Sequence, residues 1–143
     1  MDARRLIVAT VAALALTAAG ACTYLAPRQR ALGPAVVDGG VRFQFYAVAA
    51  VRVQLAGDWP ENNWARGDGA AGEADIGLMA DADGDGVWEI LVALEPGRYQ
   101  YLFWVDENTW RTDPGNPEET AGGPAGRASL ITVFRRDGRL EIR

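Results

Sequence analysis

Gly97-Arg98-Tyr99-Gln100-Tyr101-Leu102-Phe103-Trp104-Val105-Asp106, running on to Trp110-Arg111-Thr112-Asp113-Pro114-Gly115-Asn116-Pro117, is the stretch that decides the fold. Tyr99, Tyr101, Phe103 and Val105 alternate along it with the period of two that a strand with one buried face requires. Glu95-Pro96-Gly97 marks a turn before the strand, and the segment after it is rich in Asp, Asn, Gly and Pro. A strand with one buried face needs partners, and the same period recurs on both sides of it. Val41, Phe43 and Phe45 alternate with Arg42, Gln44 and Tyr46, and Val51, Val53 and Leu55 repeat the pattern after a short break. Trp88, Ile90, Val92 and Leu94 form a third set. Leu130 to Phe134 reads as a last long strand, and Asp137-Gly138 is a two-residue hairpin signal leading to Leu140 and Ile142.

No segment beyond the first twenty-two residues sustains a 3.6-residue period. The predicted fold is all-β: an immunoglobulin-like β-sandwich of about seven to eight antiparallel strands over residues 36–143, preceded by an N-terminal signal helix. The Gly-rich stretch Gly67 to Gly72 reads as a flexible loop insert.

The chain has 143 residues and a net charge of −5, and its 14 basic residues are all Arg, scattered among 19 acids. That balance argues against binding a phosphate backbone, so nucleic acid is not an expected partner. Histidine is absent, which excludes a His-based triad and a His-ligated metal. A carboxylate pair could be drawn from Asp58, Asp106 or Asp113, but glycoside hydrolysis needs a cleft that a small sandwich rarely provides. Those aspartates read as turn residues bonded to nearby backbone, so neither an enzyme nor a cofactor is expected. Asp81, Asp83 and Asp85 with Gly86 begin like a calcium loop, but the twelfth position is Val92 where a Glu is needed. A hairpin turn without metal is the better reading.

Residues 1–21 read as an export signal: Arg4 and Arg5, an apolar run from Leu6 to Ala19, then small residues before Cys22. An uncleaved anchor is the alternative, although the apolar run is shorter than the ~20 residues of a spanning helix. Ala19-Gly20-Ala21-Cys22 resembles the lipobox of bacterial lipoproteins, with Ala19 in place of the usual Leu. That resemblance implies an acylated Cys22, the one cysteine of the chain, followed by a tether over residues 22–35. The expected location is the bacterial cell envelope, with the membrane a partner through Cys22. Thr23, where some lipoproteins carry an Asp that retains them at the inner membrane, favours the outer membrane.

Six blocks follow one another in an order that resembles a known family. They are Val41 to Tyr46, Val53 to Asp58, Asn62-Asn63-Trp64, Asp83 to Glu89, Pro96 to Tyr101, and Val105-Asp106 through Asp113-Pro114. The family is carbohydrate-binding module family 48, which includes the glycogen-binding domain of the AMP-activated protein kinase β subunit. The resemblance implies a non-catalytic module that binds α-glucan by stacking glucose rings on two tryptophans, here Trp64 and Trp110. Asn63 and Trp59 are further candidate contacts, Trp59 being either a third stacking ring or a loop plug. A pyranose packs its apolar C–H face on an indole and needs hydrogen bonds for its hydroxyls. The family supplies those bonds from a lysine and an asparagine, whose positions here fall on Leu102 and on Ala128 or Ser129. The expected partner is a polysaccharide or oligosaccharide, an α-glucan first. The alternative is an envelope protein-interaction module that kept the sandwich, lost sugar binding and uses Leu102 and Trp104 against a protein partner. Trp88, on the same strand face as Ile90 and Val92, is expected in the core.

Overall fold

The computed structural model describes residues 32–66 and 75–143. The segment read as a signal helix, Cys22 and the Gly67 to Gly72 stretch lie outside the described residues. Among the described residues nine strands run in chain order: β1 (Ala35–Val37), β2 (Gly40–Tyr46), β3 (Val53–Gly57), β4 (Val87–Val92), β5 (Gly97–Val105), β6 (Thr109–Arg111), β7 (Glu119–Ala121), β8 (Arg127–Arg136) and β9 (Arg139–Ile142). They form two sheets, one ordered β1-β2-β4 and the other β3-β5-β8-β7, with β6 paired to β5 and β9 to β8. Each of these strand pairings is antiparallel.

The alternation read from the sequence sets which side of each strand meets the core. Val41, Phe43 and Phe45 of β2 face Leu55, Tyr101, Phe103, Ile131 and Val133 from the larger sheet in one cluster. Phe43 meets Tyr101 edge-on at 4.9 Å between ring centroids, and Phe45 meets Phe103 at 4.5 Å. Trp88 packs against this cluster and donates its indole N–H to the Ala47 carbonyl at 3.1 Å. Asp137 and Gly138 both take positive φ, 51° and 79°, as the hairpin between β8 and β9 requires.

Two sequence expectations are corrected here. Val51 does not extend the third strand: it is 85 % exposed and outside β3, because the chain turns through residues 47–52 before entering the sheet. Trp110, in the segment whose Asp, Asn, Gly and Pro content reads as a turn-rich loop, belongs instead to β6, held opposite β5 by a tight turn.

The segment after β6 is fastened by a buried polar network. The Tyr101 hydroxyl donates to Asp113 Oδ2 at 2.8 Å, Asn116 Nδ2 donates to the Tyr101 hydroxyl and to the Leu130 carbonyl, and Asp113 N–H donates to Ser129 Oγ. Burial holds the Asp113 carboxyl above the usual carboxylate range, against the pull of the Tyr101 hydroxyl and Gly115 N–H that it accepts. The native state therefore binds this proton more tightly than the unfolded chain. The resulting stabilisation is full below the ordinary carboxylate pKa and is lost as pH rises through the raised value. Relative to Asp113→Asn, the wild-type chain is expected to gain stability as pH falls from neutral to about 4. Urea midpoints of both proteins across that range check this, and parallel curves would contradict it.

Candidate sugar-binding face

On β5 the residues between the core positions are Gln100, Leu102 and Trp104, and they point to the other side of the larger sheet. Cross-strand register sets Leu102 beside Ala56, Trp104 beside Gln54 and Trp110, and Gln100 beside Leu130. The rings of Trp104 and Trp110 are stacked, with centroids 5.2 Å apart and planes 11° from parallel. A left-handed turn makes that pairing possible. Asp106 and Glu107 take φ of 49° and 58°, and Asn108 N–H closes the turn on the Val105 carbonyl. Asp106 Oδ1 accepts from both Val51 N–H and Arg52 N–H, tying the turn to the start of β3. Asp58 and Asp106, expected to bond nearby backbone, instead join segments far apart in sequence, for Asp58 accepts from Gln100 N–H.

Trp64 arrives by a second strained turn. Asn63, Trp64 and Ala65 have φ of 42°, 61° and 60°, a left-handed run that costs about 1 to 2 kcal/mol per residue. Asn62 holds it: its Oδ1 accepts from Gly57 N–H and Ala65 N–H, and its Nδ2 donates to the Leu55 carbonyl, all within 2.8 Å. Asn63, beside it, is exposed. The half-buried Trp64 ring lies on the hairpin tip between β7 and β8, where a Cβ on Gly123 would come 2.8 Å from Trp64 Cη2. The preceding residue of the tip, Gly122, lies against the Gln100 side chain. Trp64 and Gln100 thus lie against adjacent residues of one hairpin tip, and the Trp104–Trp110 pair lies further along β5 on the face that carries Gln100.

Trp59 is placed elsewhere. It is 6 % exposed, stacks on Phe43 at 6.4 Å and meets Tyr99 edge-on at 6.1 Å. Its ring occupies the space where a Cβ on residue 57 would stand, so Gly57 provides its seat. Trp59 is a plug of the core, and the expectation that it offers a third stacking ring is corrected.

Asp81, Asp83 and Asp85 bring one carboxylate oxygen each within 4.8 Å of one another. These carboxylates accept from Gly86, Asp85 and Val87 N–H and shape the turn between Ala80 and Glu89, which pair with each other. A turn is the role these contacts give them.

The model of carbohydrate-binding module family 48, the isoamylase N-terminal domain, matches residues 31–115, more than half of the chain. The chain belongs to carbohydrate-binding module family 48. No curated protein matches it. A module of this family binds carbohydrate without transforming it, so the chain is not an enzyme. Within the family 48 fold, the positions that the sequence resemblance assigns to polar helpers are closed here. Leu102 is 1 % exposed, and Ala128 and Ser129 are both fully buried. Leu102 is therefore unavailable as an apolar contact for a protein partner, which corrects that part of the alternative. Its burial depends on what folds over the outer face, and alternation along β5 carries no signal of that. Trp104, which the sequence reading placed only in the protein-partner alternative, is stacked on Trp110, and the detectable signal was its symmetric spacing with Trp110 about the turn at 105–109.

Proposed function

We propose that this family 48 module is a non-catalytic α-glucan-binding protein of the bacterial envelope, lipid-anchored through Cys22, with the partly exposed surface around Trp64, Trp104 and Trp110 as its binding surface. The observation that carries the reading is the parallel Trp104–Trp110 pair on that surface. Trp104 backs one side of the Trp110 ring and holds its plane, and the accessible surface left on Trp110 is the platform for a pyranose. Trp64 supplies the second platform, with Asn63 at its edge. Gln100 and Trp104 are four residues apart on β5, about 13 Å at the rise of a strand. That spacing suits a run of several sugar residues better than one ring. The left-handed run through Asn63, Trp64 and Ala65 supports the same reading, because backbone strain of this kind concentrates at functional sites.

Retention on glycogen and amylose tests the proposal. The protein is expected to be retained, and a Trp64→Ala, Trp110→Ala double variant with unchanged circular dichroism is expected to elute with the void. An equally retained double variant would refute the two platforms. For the anchor, metabolic labelling with a radioactive fatty acid is expected to mark the wild-type chain and to be lost in Cys22→Ala. Label in the outer-membrane fraction is the expected location, and label confined to the inner membrane would contradict it.

A further inference from the structure

We infer that Gln100 is the hydrogen-bonding group of the sugar site, in place of the lysine and asparagine whose family positions are closed in this chain. The inference rests on the glucan-binding reading above. Gln100 lies on the same face of β5 as Leu102 and Trp104, and like Trp64 it lies against the hairpin tip at Gly122 and Gly123. Its backbone is fully used, since its N–H donates to Asp58 Oδ1 and its carbonyl accepts from Asp58 N–H. Its side chain is not. Gln100 Oε1 is buried without a hydrogen-bond partner, and a Cβ on Gly122 would stand 2.5 Å from it.

A buried acceptor without a donor works against folding, and proteins retain such groups where a ligand or water completes them. A carboxamide is suited to a sugar, because it offers a donor and an acceptor side by side and so matches two adjacent pyranose hydroxyls. It is also neutral. A neutral group suits an uncharged glucan, because no charge has to be desolvated when the sugar covers it. For Oε1 to meet a hydroxyl the Gly122–Gly123 tip must shift, and the positive φ of both residues explains why glycines form that tip.

The signature of this role is that stability and binding move in opposite directions. Gln100→Leu keeps the size of the side chain and removes the unsatisfied oxygen. The full-length variant in mild detergent is expected to melt at or above the wild-type temperature, yet to be retarded about tenfold less strongly by glycogen in affinity gel electrophoresis. Gln100→Met, unbranched and of the same length, is held to the same outcomes should the Leu variant fail to fold. Variants that fold and are retarded like wild type would overturn the role of Gln100 and leave the tryptophan platforms standing. A wild-type chain that glycogen and amylose do not retard would overturn the glucan reading itself, and this inference with it.

Discussion

Asn62→Ala is expected to lower the stability of the domain by about 3 to 5 kcal/mol and to abolish glucan retention, although Asn62 touches no sugar in the proposed site. The residue is 3 % exposed, and its carboxamide makes three hydrogen bonds to backbone. Alanine would leave Gly57 N–H, Ala65 N–H and the Leu55 carbonyl without these partners in a region that water reaches poorly, at about 1 to 3 kcal/mol for each group fully stranded. The same bonds offset the left-handed backbone of Asn63, Trp64 and Ala65, so their loss releases the turn and with it the position of the Trp64 ring. Asn63→Gly is the informative companion. It lies in the same left-handed run but is exposed, and glycine adopts its φ at no steric cost, so the loss of stability is expected to be well below that of Asn62→Ala. Urea denaturation of the three proteins checks this, and an Asn62→Ala midpoint equal to wild type would show that the turn is held by something else.

Leu102→Lys carries the second large effect. By sequence it restores the residue the family uses for sugar hydroxyls, and on that ground it should tighten binding. The fold argues the opposite. Leu102 is 1 % exposed beside Ala56, and the Asp58 carboxylate past the end of β3 is already engaged by Gln100 N–H. An ammonium placed there is a buried charge without a partner, and the expected loss is about 3 to 5 kcal/mol. Retention on glycogen is expected to fall with it. Leu102→Met, which conserves volume and adds no charge, is expected to cost less than about 1.5 kcal/mol and to leave retention unchanged. A Leu102→Lys protein that melts like wild type and binds glucan more tightly would mean that the outer face can open to accept the charge.

Both predictions turn on the distinction between what is local along the chain and what is not. The strands, their buried sides and the closing hairpin were legible because the period of two belongs to a strand itself, and Asp137-Gly138 specifies its own turn. The ordered blocks from Val41 to Pro114 were enough to indicate the family, which the match over residues 31–115 then showed. Val51 misled because an apolar residue in phase with a strand need not belong to it. The neighbouring chain was already committed to the bonds with Asp106.

The three candidate tryptophans show where sequence stops. Trp59, Trp64 and Trp110 each follow a strand and sit among turn residues, so their local signals are alike. The sequence by itself determined the all-β class, the core faces of β2 and β5, and the family. Tertiary structure decided the rest: Trp59 drops onto Gly57 and fills the core, Trp64 is lifted by Asn62, and Trp110 is turned against Trp104. It also sealed Leu102 and left Gln100 Oε1 without a partner. The physical reason is that alternation fixes the direction of a side chain relative to its own strand. Whether that direction ends in solvent, in the core or under a hairpin tip depends on segments far away in the chain that fold over it.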